Sequence, residues 1–304
     1  MLVTVYSLLM RSVTIVGAGR VGGALAIALE KAGYAIDGFV VRNADAVLPF
    51  RNRINSPSGI RTWEHLAAVK SDIVIIATQD SEISGATQSL KQFVGRENAV
   101  FHTSGSLSSS VLDQLRKVGC HVGSIHPLAA ISDAVGGAEK FKDSYFCLEG
   151  DAEAVAIAQD IVRDLGGKAF SIDTRFKPLY HAGAVMAAGH VVALLSMSLD
   201  MFAKCGIAQD EALEIIRPLV KSTFDNVFAV GPEQALTGPF ARAETGTFER
   251  HLEILRETVN KNVLETYLSL AERSLDIAAE RKRQPERFDE LRKKVLIEKN
   301  TLGC

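Results

Sequence analysis

A glycine-rich turn near the start of the chain has the spacing needed to bind phosphate groups. A short β-branched run at residues 13–16 leads into Gly17-x-Gly19-x-x-Gly22, and an Ala- and Leu-rich helical pattern follows at residues 24–29. Gly17 permits a tight turn, Gly19 lets the backbone approach a phosphate, and Gly22 lets the helix pack closely on the strand. The helix N-terminus adds unpaired N–H groups and the positive end of its dipole. The predicted dinucleotide-binding residues of this turn are Gly17, Gly19, Arg20, Val21 and Gly22.

The end of the second predicted strand, residues 36–42, indicates which dinucleotide is expected. A fold that prefers NAD usually carries an acid there, which binds the ribose hydroxyls. The nearby acid, Asp37, lies at the start of the strand, whereas the strand ends at Arg42 and Asn43. Because a guanidinium can pair with a 2′-phosphate, we expect NADP rather than NAD. The alternative for Arg42 is a solvated surface cation.

Polar residues also follow two further predicted strands. Residues 72–77 form a nearly unbroken β-branched run, as expected for a strand buried on both faces, and residues 99–102 form the next strand. Ligands of open α/β sheets bind at the carboxyl ends of the strands. Asp80 could instead be only the N-cap of a helix at residues 81–93. The expected cofactor contacts at this edge are Thr78, Gln79, Asp80, Thr103 and Ser104.

Three side chains could exchange a proton beside a bound nicotinamide, as hydride transfer requires. His126 follows a strand at residues 121–125, Pro127 stiffens its exit, and imidazole titrates near neutrality. Lys177 and His181 are four residues apart, so they share one face of the first turns of a helix. The alternatives are that His126 only caps a loop through its backbone and that Lys177 is solvated. The expected catalytic residues are His126, Lys177 and His181.

The order of the predicted elements divides the chain near residue 173. A strand–helix–strand extension at residues 145–148 and 168–172 brings the expected sheet to about eight strands. The period then becomes helical, with Gly206 and Gly231-Pro232 as stop signals. We predict a doubly wound α/β Rossmann sheet in residues 1–173 and an all-helical domain in residues 174–304. The predicted helices span residues 63–69, 111–117, 177–205, 210–230, 247–255 and 260–279, and a charged segment at 280–299 follows.

The composition excludes several classes of function. A net charge of −2 over 304 residues provides no field that would attract nucleic acid or an anionic membrane. The basic clusters at residues 281–283 and 292–294 are interleaved with acids, which is typical of a solvated face. Four scattered cysteines without a C-x-x-C pair indicate reduced thiols in a cytoplasm, and no metal-binding set is visible.

Two apolar stretches raise the question of membranes and export. Residues 1–10 lack a basic start and a cleavage site, so they make a poor signal peptide, and the natural start could be Met10. Residues 182–199 contain no formal charge, which is the lower limit for a membrane span. Their alanines, glycines, serines and His190 favour a buried helix packed against other helices. Such a helix suggests burial on more sides than one chain covers, so we expect a homodimer.

Four strings of residues resemble one branch of the 6-phosphogluconate dehydrogenase-like superfamily. This branch joins a Rossmann-like domain to the helical domain of unknown function numbered 2520. The resemblance extends from Met10 to about Ala279 and implies the fold and a nicotinamide cofactor, but no settled substrate. The strings are Phe-His-Thr-Ser-Gly at 101–105, Gly-Ser-Ile-His-Pro-Leu at 123–128, Leu-Tyr-His-Ala-Gly-Ala at 179–184 and Ala-Leu-Thr-Gly-Pro-Phe-Ala-Arg at 235–242.

The resemblance also implies roles for individual residues. The string at His126 is similar to the His-Pro of prephenate dehydrogenases, where the histidine meets the substrate's hydroxyl. In the superfamily, a lysine near the start of the long helix often does acid work, which implies such a role for Lys177. The loop at residues 237–242 resembles in position the carboxylate-binding loop of pyrroline-5-carboxylate reductases, whose helical domains interleave between subunits. It implies a substrate site at Thr237 and Arg242, although Arg242 could instead bridge to a nearby acid.

The chain departs from the branch at two positions. Gly189 stands where the branch usually carries asparagine, and Arg242-Ala243-Glu244 replaces Arg-Gly-Asp. In related hydroxyacid dehydrogenases a lysine and an asparagine act as a catalytic pair. The missing asparagine therefore weakens the case for an enzyme. The first hypothesis is nevertheless an NADP-dependent oxidoreductase acting on a small carboxylate-bearing keto, hydroxy or imino compound. A sensor or scaffold that binds NADP without turnover is the alternative, and within enzymes the alternative is an imine reductase similar to pyrroline-5-carboxylate reductase.

Overall fold

The computed structural model describes residues 12–55, 59–63, 69–279 and 285–302. The predictions on residues 1–10, on most of the helix at 63–69 and on the basic cluster at 281–283 lie outside these residues. The chain divides into two compact units, Met1–Gly189 and His190–Cys304. The boundary falls inside the helix predicted at residues 177–205, so the first part of that stretch belongs to the first unit and the rest to the second.

The first unit contains an eight-stranded sheet with the strand order β3-β2-β1-β4-β5-β6-β7-β8. Neighbouring strands are parallel except for β6 and β7, which pair antiparallel. The predicted fold class, a doubly wound α/β sheet of about eight strands, is confirmed. The strands are β1 (Ser12–Val16), β2 (Ala35–Val41), β3 (Gly59–Thr62), β4 (Ile73–Ile76), β5 (Ala99–His102), β6 (His121–Pro127), β7 (Tyr145–Gly150) and β8 (Lys168–Phe170).

The apolar runs of the sequence form these strands because helices cover both faces of the sheet. All four residues of β4 are buried, as its β-branched composition predicts. Alternate residues of the central strands enter two separate cores: Ile73 and Ile75 pack on one face, Val74 and Ile76 on the other. The edge strand β3 lies in a region where the sequence predicts only turns and a helix, because it is short and half-exposed.

The helices of the first unit connect or cover these strands. Asp80 is the first residue of its helix and Gln79 is the N-cap, so the alternative that Asp80 is the N-cap is wrong. The predicted helix at residues 111–117 is a 3₁₀ turn, Ser109–Leu112, followed by one α-helical turn. The α-helices are α1 (Arg20–Lys31), α2 (Asp80–Leu90), α3 (Asp113–Arg116), α4 (Ala134–Glu139), α5 (Ala152–Asp164) and α6 (Lys177–Ala187).

The predicted single helix at residues 177–205 is wrong, because the structure breaks it at Ala188. That residue has φ −126° and ψ −72°, outside the helical region, and a second helix, α7 (Gly189–Lys204), follows. The prediction that this stretch is a buried helix is also wrong within one chain. Only Lys177 in α6 and Leu199 in α7 are buried. By length and composition alone, the stretch Thr174–Lys204 could cross a membrane, and only 6% of its most apolar window is buried in this structure.

The second unit is helical throughout its described residues. Gly231, with φ +77° and ψ 165°, lies outside the helical region, so the helix ends there as the sequence predicts, and a short second helical segment follows within α8. The charged segment at 280–299 was expected to trail off, but from Pro285 it forms a helix that buries Leu291 and Val295 in the core of this unit. The helices after α7 are α8 (Gln209–Ala235), α9 (Gly238–Ala241), α10 (Thr245–Thr258), α11 (Lys261–Ala279) and α12 (Pro285–Leu302).

Candidate active site

A cleft of about 590 Å³ opens at the carboxyl ends of β1, β2 and β4. This is the edge where open α/β sheets bind their ligands. Its walls are mostly apolar or backbone, and Trp63 contributes an aromatic surface. The described residues that line it are Val16–Gly19, Val40–Asn43, Ala46, Trp63, Ala77–Gln79, Glu82, Gly85, Ala86 and Ser89.

The three glycines of the turn differ in what surrounds them. Gly17 has φ +95°, and a Cβ built on it would lie 2.9 Å from the Ala77 carbonyl oxygen. A Cβ on Gly22 would lie 2.0 Å from the Gly17 carbonyl oxygen, so the start of α1 packs directly on the turn. No described atom lies within 4 Å of a Cβ built on Gly19. Gly17 and Gly22 are therefore required by the fold, whereas Gly19 leaves the backbone accessible from the cleft.

The turn and the cleft fit a dinucleotide. The N-terminus of α1 has no side-chain cap and no acid in its first turn, which leaves its N–H groups for an anion. The buried Thr78 hydroxyl beside it has no hydrogen-bond partner in the described part of the chain. An unpaired buried hydroxyl at a cleft wall is one that a ligand can satisfy.

The predicted cofactor residues divide into two groups by position. Gly17, Gly19, Arg42, Asn43, Thr78 and Gln79 line the cleft, whereas Arg20, Val21, Gly22, Asp80, Thr103 and Ser104 do not. The Arg42 side chain is 75% exposed, and its Nη1 lies 2.7 Å from Oε1 of Glu82.

Asp80 and Ser104 hold the loop after β5. The Ser104 hydroxyl donates to Asp80 Oδ2 at 2.8 Å and accepts from the N–H groups of Ser106 at 3.1 Å and Leu107 at 3.0 Å. The Ser104 N–H itself donates to Nδ1 of His102 at 3.2 Å. Because Asp80 directly follows the cleft residues Thr78 and Gln79, this bond fixes the loop next to the cleft.

The loop places Gly105 against two histidines. A Cβ on Gly105 would lie 2.5 Å from Nδ1 of His181 and 2.7 Å from Nε2 of His126, so only glycine fits. The imidazole rings of His126 and His181 are 5.5 Å apart and nearly perpendicular. His126 Nδ1 lies 2.9 Å from the Tyr180 hydroxyl, and the direction of this hydrogen bond depends on the imidazole tautomer.

His126 and Tyr180 are electrically neutral near pH 7. Burial, with smaller contributions from His181 and Lys177, lowers the pKa of His126 to about 4. Burial raises the pKa of Tyr180 well above its ordinary value, so it stays a phenol. Nδ1 of His181 is buried and has no hydrogen-bond partner among the described residues. A neutral imidazole can accept a proton from a hydroxyl or donate a hydrogen bond to a carbonyl oxygen.

Lys177 lies beneath this site and not on its surface. Its side chain is 0% exposed, so the solvated alternative is wrong. Its Nζ donates to the Ser124 hydroxyl at 2.5 Å and to Glu149 Oε1 at 3.3 Å. Burial lowers the pKa of Lys177, and the Glu149 carboxylate opposes this effect. The Lys177 ammonium does not reach the surface in this structure.

Glu149 ties three parts of the site together. Besides Lys177, it accepts from the Ser109 N–H at 2.6 Å and from the Ser109 hydroxyl at 2.8 Å. Strand register places His102 opposite Ser124, and Ser124 opposite Glu149, so their side chains form one polar row across β5, β6 and β7. The sequence analysis did not predict this row, nor did it predict site roles for Tyr180, Gly105, Glu82 and Trp63. The one signal of the row in the sequence is Ser124, a polar residue inside an apolar strand.

The two predicted substrate residues, Thr237 and Arg242, belong to the second unit. Thr237 is the N-cap of α9. Arg242 Nε donates to Glu244 Oε1 at 2.5 Å, which is the bridge to an acid that the sequence left open. Ala243 has φ +50°, a conformation that suits the glycine of the related Arg-Gly-Asp motif better than alanine. In the part of the chain that the structure describes, no group of three or more His, Cys, Asp or Glu side chains could hold a metal ion.

Two family models cover most of the chain. Residues 8–127 match the Rossmann-like domain, and residues 144–274 match the domain of unknown function 2520. The chain belongs to the family that joins these two domains. The Rossmann-like match of this two-domain protein ends just after His126, and the second match contains Glu149 and Lys177. The candidate site is therefore assembled from both matched regions. No curated protein matches the chain significantly.

Solved structures share the fold of this two-domain protein at low sequence identity. A Bacteroides fragilis protein assigned as an NADP oxidoreductase is 21% identical, with a TM-score of 0.72, over 88% of this chain and 98% of that one. Prephenate dehydrogenase from Aquifex aeolicus, in complex with NAD⁺ and hydroxyphenyl propionate, is 16% identical, with a TM-score of 0.55, over 96% of this chain and 98% of that one. Plasmodium falciparum pyrroline carboxylate reductase, with NADP bound, is 13% identical, with a TM-score of 0.53, over 88% of this chain and 98% of that one. The chain thus has the fold of NAD(P)-dependent oxidoreductases.

Proposed function

We propose that this protein is an NADP-dependent oxidoreductase that transfers hydride to or from a small carboxylate-bearing keto, hydroxy or imino compound. The observation that carries the proposal is the continuity between the open glycine turn and the histidine pair. The cleft wall at Thr78 and Gln79 leads directly to Asp80, which holds the loop that sets Gly105 against His126 and His181. The fold shared with enzymes that bind NADP or NAD⁺ supports the same conclusion.

The residues have distinct roles in this proposal. Gly17, Gly19 and the N-terminus of α1 hold the pyrophosphate, and Arg42 and Asn43 face the adenosine ribose. The nicotinamide supplies or accepts the hydride. His126, neutral and bonded to Tyr180, exchanges the proton at the reacting oxygen or nitrogen of the substrate. Lys177 is a positioning residue that holds a positive charge under the site.

The carboxylate of the substrate would be bound by cationic or N–H groups. Arg242, with Thr237 at the adjoining helix start, is the proposed anchor, and Glu244 would have to yield the guanidinium to the substrate.

We propose that the protein is a soluble, cytoplasmic homodimer that binds neither nucleic acid nor membranes. Helices α7 and α8 expose large apolar side chains, among them Val192, Leu219 and Phe228. The helices α6 and α7 have 11 and 16 residues, and each is shorter than the roughly 20 residues that a single membrane-spanning helix needs. A second copy of the chain is the partner that would cover these side chains.

The test of the proposed function is a metabolite screen with purified protein, read at the absorbance band of the reduced cofactor. We expect oxidation or reduction of a carboxylate-bearing compound. His126→Ala should reduce turnover about 100-fold or more, with NADP affinity within a few-fold of the wild type. Equal loss of cofactor binding and turnover would show that His126 supports the cleft and not the proton transfer.

The second candidate function is a sensor that binds NADP without turnover. It is favoured by Gly189, which stands where the family resemblance implies asparagine. Tight NADP binding without reaction across the screen would support the sensor, and turnover of any compound would eliminate it. Within enzymes, reduction of a cyclic imine would favour the imine-reductase alternative over a hydroxyacid dehydrogenase.

A further inference from the structure

The charged groups in the cofactor cleft consist of one pair. Among the described residues that line the cleft, Arg42 and Glu82 are the two with a formal charge, and they contact each other. Their side chains come from different elements: Arg42 directly follows β2, and Glu82 lies in the first turn of α2. The contact therefore spans the cleft between two walls and is not a local pair along one helix.

We propose that Glu82 is a coenzyme-selectivity residue, whose carboxylate holds the Arg42 guanidinium and must release it before a 2′-phosphate can bind. This inference rests on the proposed function, because it concerns the adenosine end of the same cleft. It adds Glu82 as a residue that weakens the binding of NADP, whereas Arg42 strengthens it.

The energetics of the pair allow this exchange. The Arg42 side chain is 75% exposed and that of Glu82 is 32% exposed, so water screens their attraction and the ion pair can open readily. A phosphate group binds arginine in a bidentate, doubly charged interaction that is stronger than a single carboxylate contact. Glu82 would nevertheless remain near the incoming phosphate, and like charges at that distance repel.

The two coenzymes should respond differently to this pair. NADP brings a negative 2′-phosphate next to the Glu82 carboxylate, and their repulsion reduces the binding free energy that NADP gains from Arg42. NAD has a hydroxyl at the same position, which can donate a hydrogen bond to a carboxylate. The pair is therefore expected to reduce the preference for NADP and to leave NAD as an accepted second coenzyme.

The experiment measures dissociation constants for NADPH and NADH by titration calorimetry with wild type, Glu82→Gln and Arg42→Gln. Glu82→Gln should tighten NADPH about tenfold, equivalent to about 1.4 kcal/mol, while NADH changes little or weakens. Arg42→Gln should weaken NADPH to about the level of NADH. The matched control is Glu139→Gln, which removes the same charge from an exposed pair with Lys31 away from the cleft and should change neither value.

The outcomes separate this inference from the proposed function. If Arg42→Gln weakens NADPH but Glu82→Gln leaves the NADPH-to-NADH ratio as in the wild type, the selectivity role of Glu82 is wrong and the NADP assignment stands. If Glu139→Gln tightens NADPH as much as Glu82→Gln, the effect is one of overall charge and the inference also fails. If wild-type protein binds neither coenzyme, the proposed function itself is wrong. The variant Glu82→Ala repeats the measurement with a smaller side chain, should Glu82→Gln prove less stable.

Discussion

At the scale of single residues, the candidate site contains several polar side chains that are buried away from solvent. His102, Ser124, Glu149 and Lys177 are all buried, and Nε2 of His102 has no hydrogen-bond partner among the described residues. Buried polar groups lower stability unless they are paired, so natural proteins keep them mainly where they serve a purpose. Ser124 shares β6 with His126, and Lys177 shares α6 with His181, the two candidates for proton exchange.

The two buried histidines should make the protein sensitive to acid. The pKa of His126 is lowered to about 4 and that of His102 to about 3, from 6.5, with burial as the main cause. The unfolded chain therefore binds protons at a higher pH than the folded protein. The stability contributed by these two groups should be fully present above pH 6.5 and should fall as the pH drops from 6.5 towards 4.

Urea denaturation at a series of pH values measures this effect. His126→Gln should reduce the slope of stability against pH in that window, because it removes one of the groups that must be protonated on unfolding. A stability that does not change between pH 6.5 and 4 would mean that His126 titrates in the folded protein as it does in the unfolded chain.

The Lys177–Glu149 pair should be costly to break from one side. Lys177→Met leaves the Glu149 carboxylate buried with only the Ser109 donors, so we expect a loss of about 3–5 kcal/mol of stability. The free energy of unfolding from urea titration checks this value. Lys31→Met is the matched control, since it breaks an exposed pair with Glu139 and should have little effect. Equal effects of the two variants would contradict the buried charge pair.

At the scale of elements, the β1–turn–α1 unit contains glycines with separable functions. Gly22 is needed for the contact between α1 and the turn, whereas the space around Gly19 is open. The same residue type thus supports folding at one position and leaves room for a ligand at the other. The difference follows from the direction in which each missing Cβ would point.

Gly19→Ala should therefore fold normally but bind NADP poorly. We expect its melting temperature without ligand to match the wild type, because no described atom lies within 4 Å of the new Cβ. The rise in melting temperature on adding NADP should largely disappear, since the methyl group blocks the approach of the phosphates. Gly22→Ala should instead lower the melting temperature without ligand, because its Cβ would lie 2.0 Å from a carbonyl oxygen. Full NADP stabilisation of Gly19→Ala would contradict the phosphate site.

At the scale of the whole molecule, the exposed helices of the second unit are the feature that a single chain does not explain. Phe228 is 82% exposed and stacks on Phe224, with ring centroids 6.2 Å apart. Isolated exposed apolar residues are common, but several on two consecutive helices indicate an interaction surface.

The homodimer proposal is tested by Phe228→Asp. Placing a charge in an apolar interface should dissociate the dimer or weaken it by at least about tenfold, as light scattering after size exclusion would show. The control is Leu48→Asp, an exposed leucine of the first unit, which should leave the assembly intact. A wild-type protein that is monomeric at micromolar concentration would refute the proposal directly.

The sequence by itself determined the fold class, the glycine turn and the edge of the sheet where ligands bind. These features depend on local patterns: β-branched runs, glycine spacing and the rule that parallel strands present their carboxyl ends together. The break at Ala188 escaped prediction because propensity favours a continuous helix there, and β3 escaped because short edge strands carry little periodic signal.

Only the tertiary structure decided which polar residues meet. Lys177 reaches Ser124 and Glu149, and Asp80 reaches Ser104, across separations of 53, 28 and 24 residues. No local pattern encodes such contacts, since they arise from strand order and register. The packed sheet and helix also bury Lys177 at a helix start, and they make His102 and His126 neutral. The sequence does not encode this burial locally, because desolvation depends on everything that surrounds a side chain.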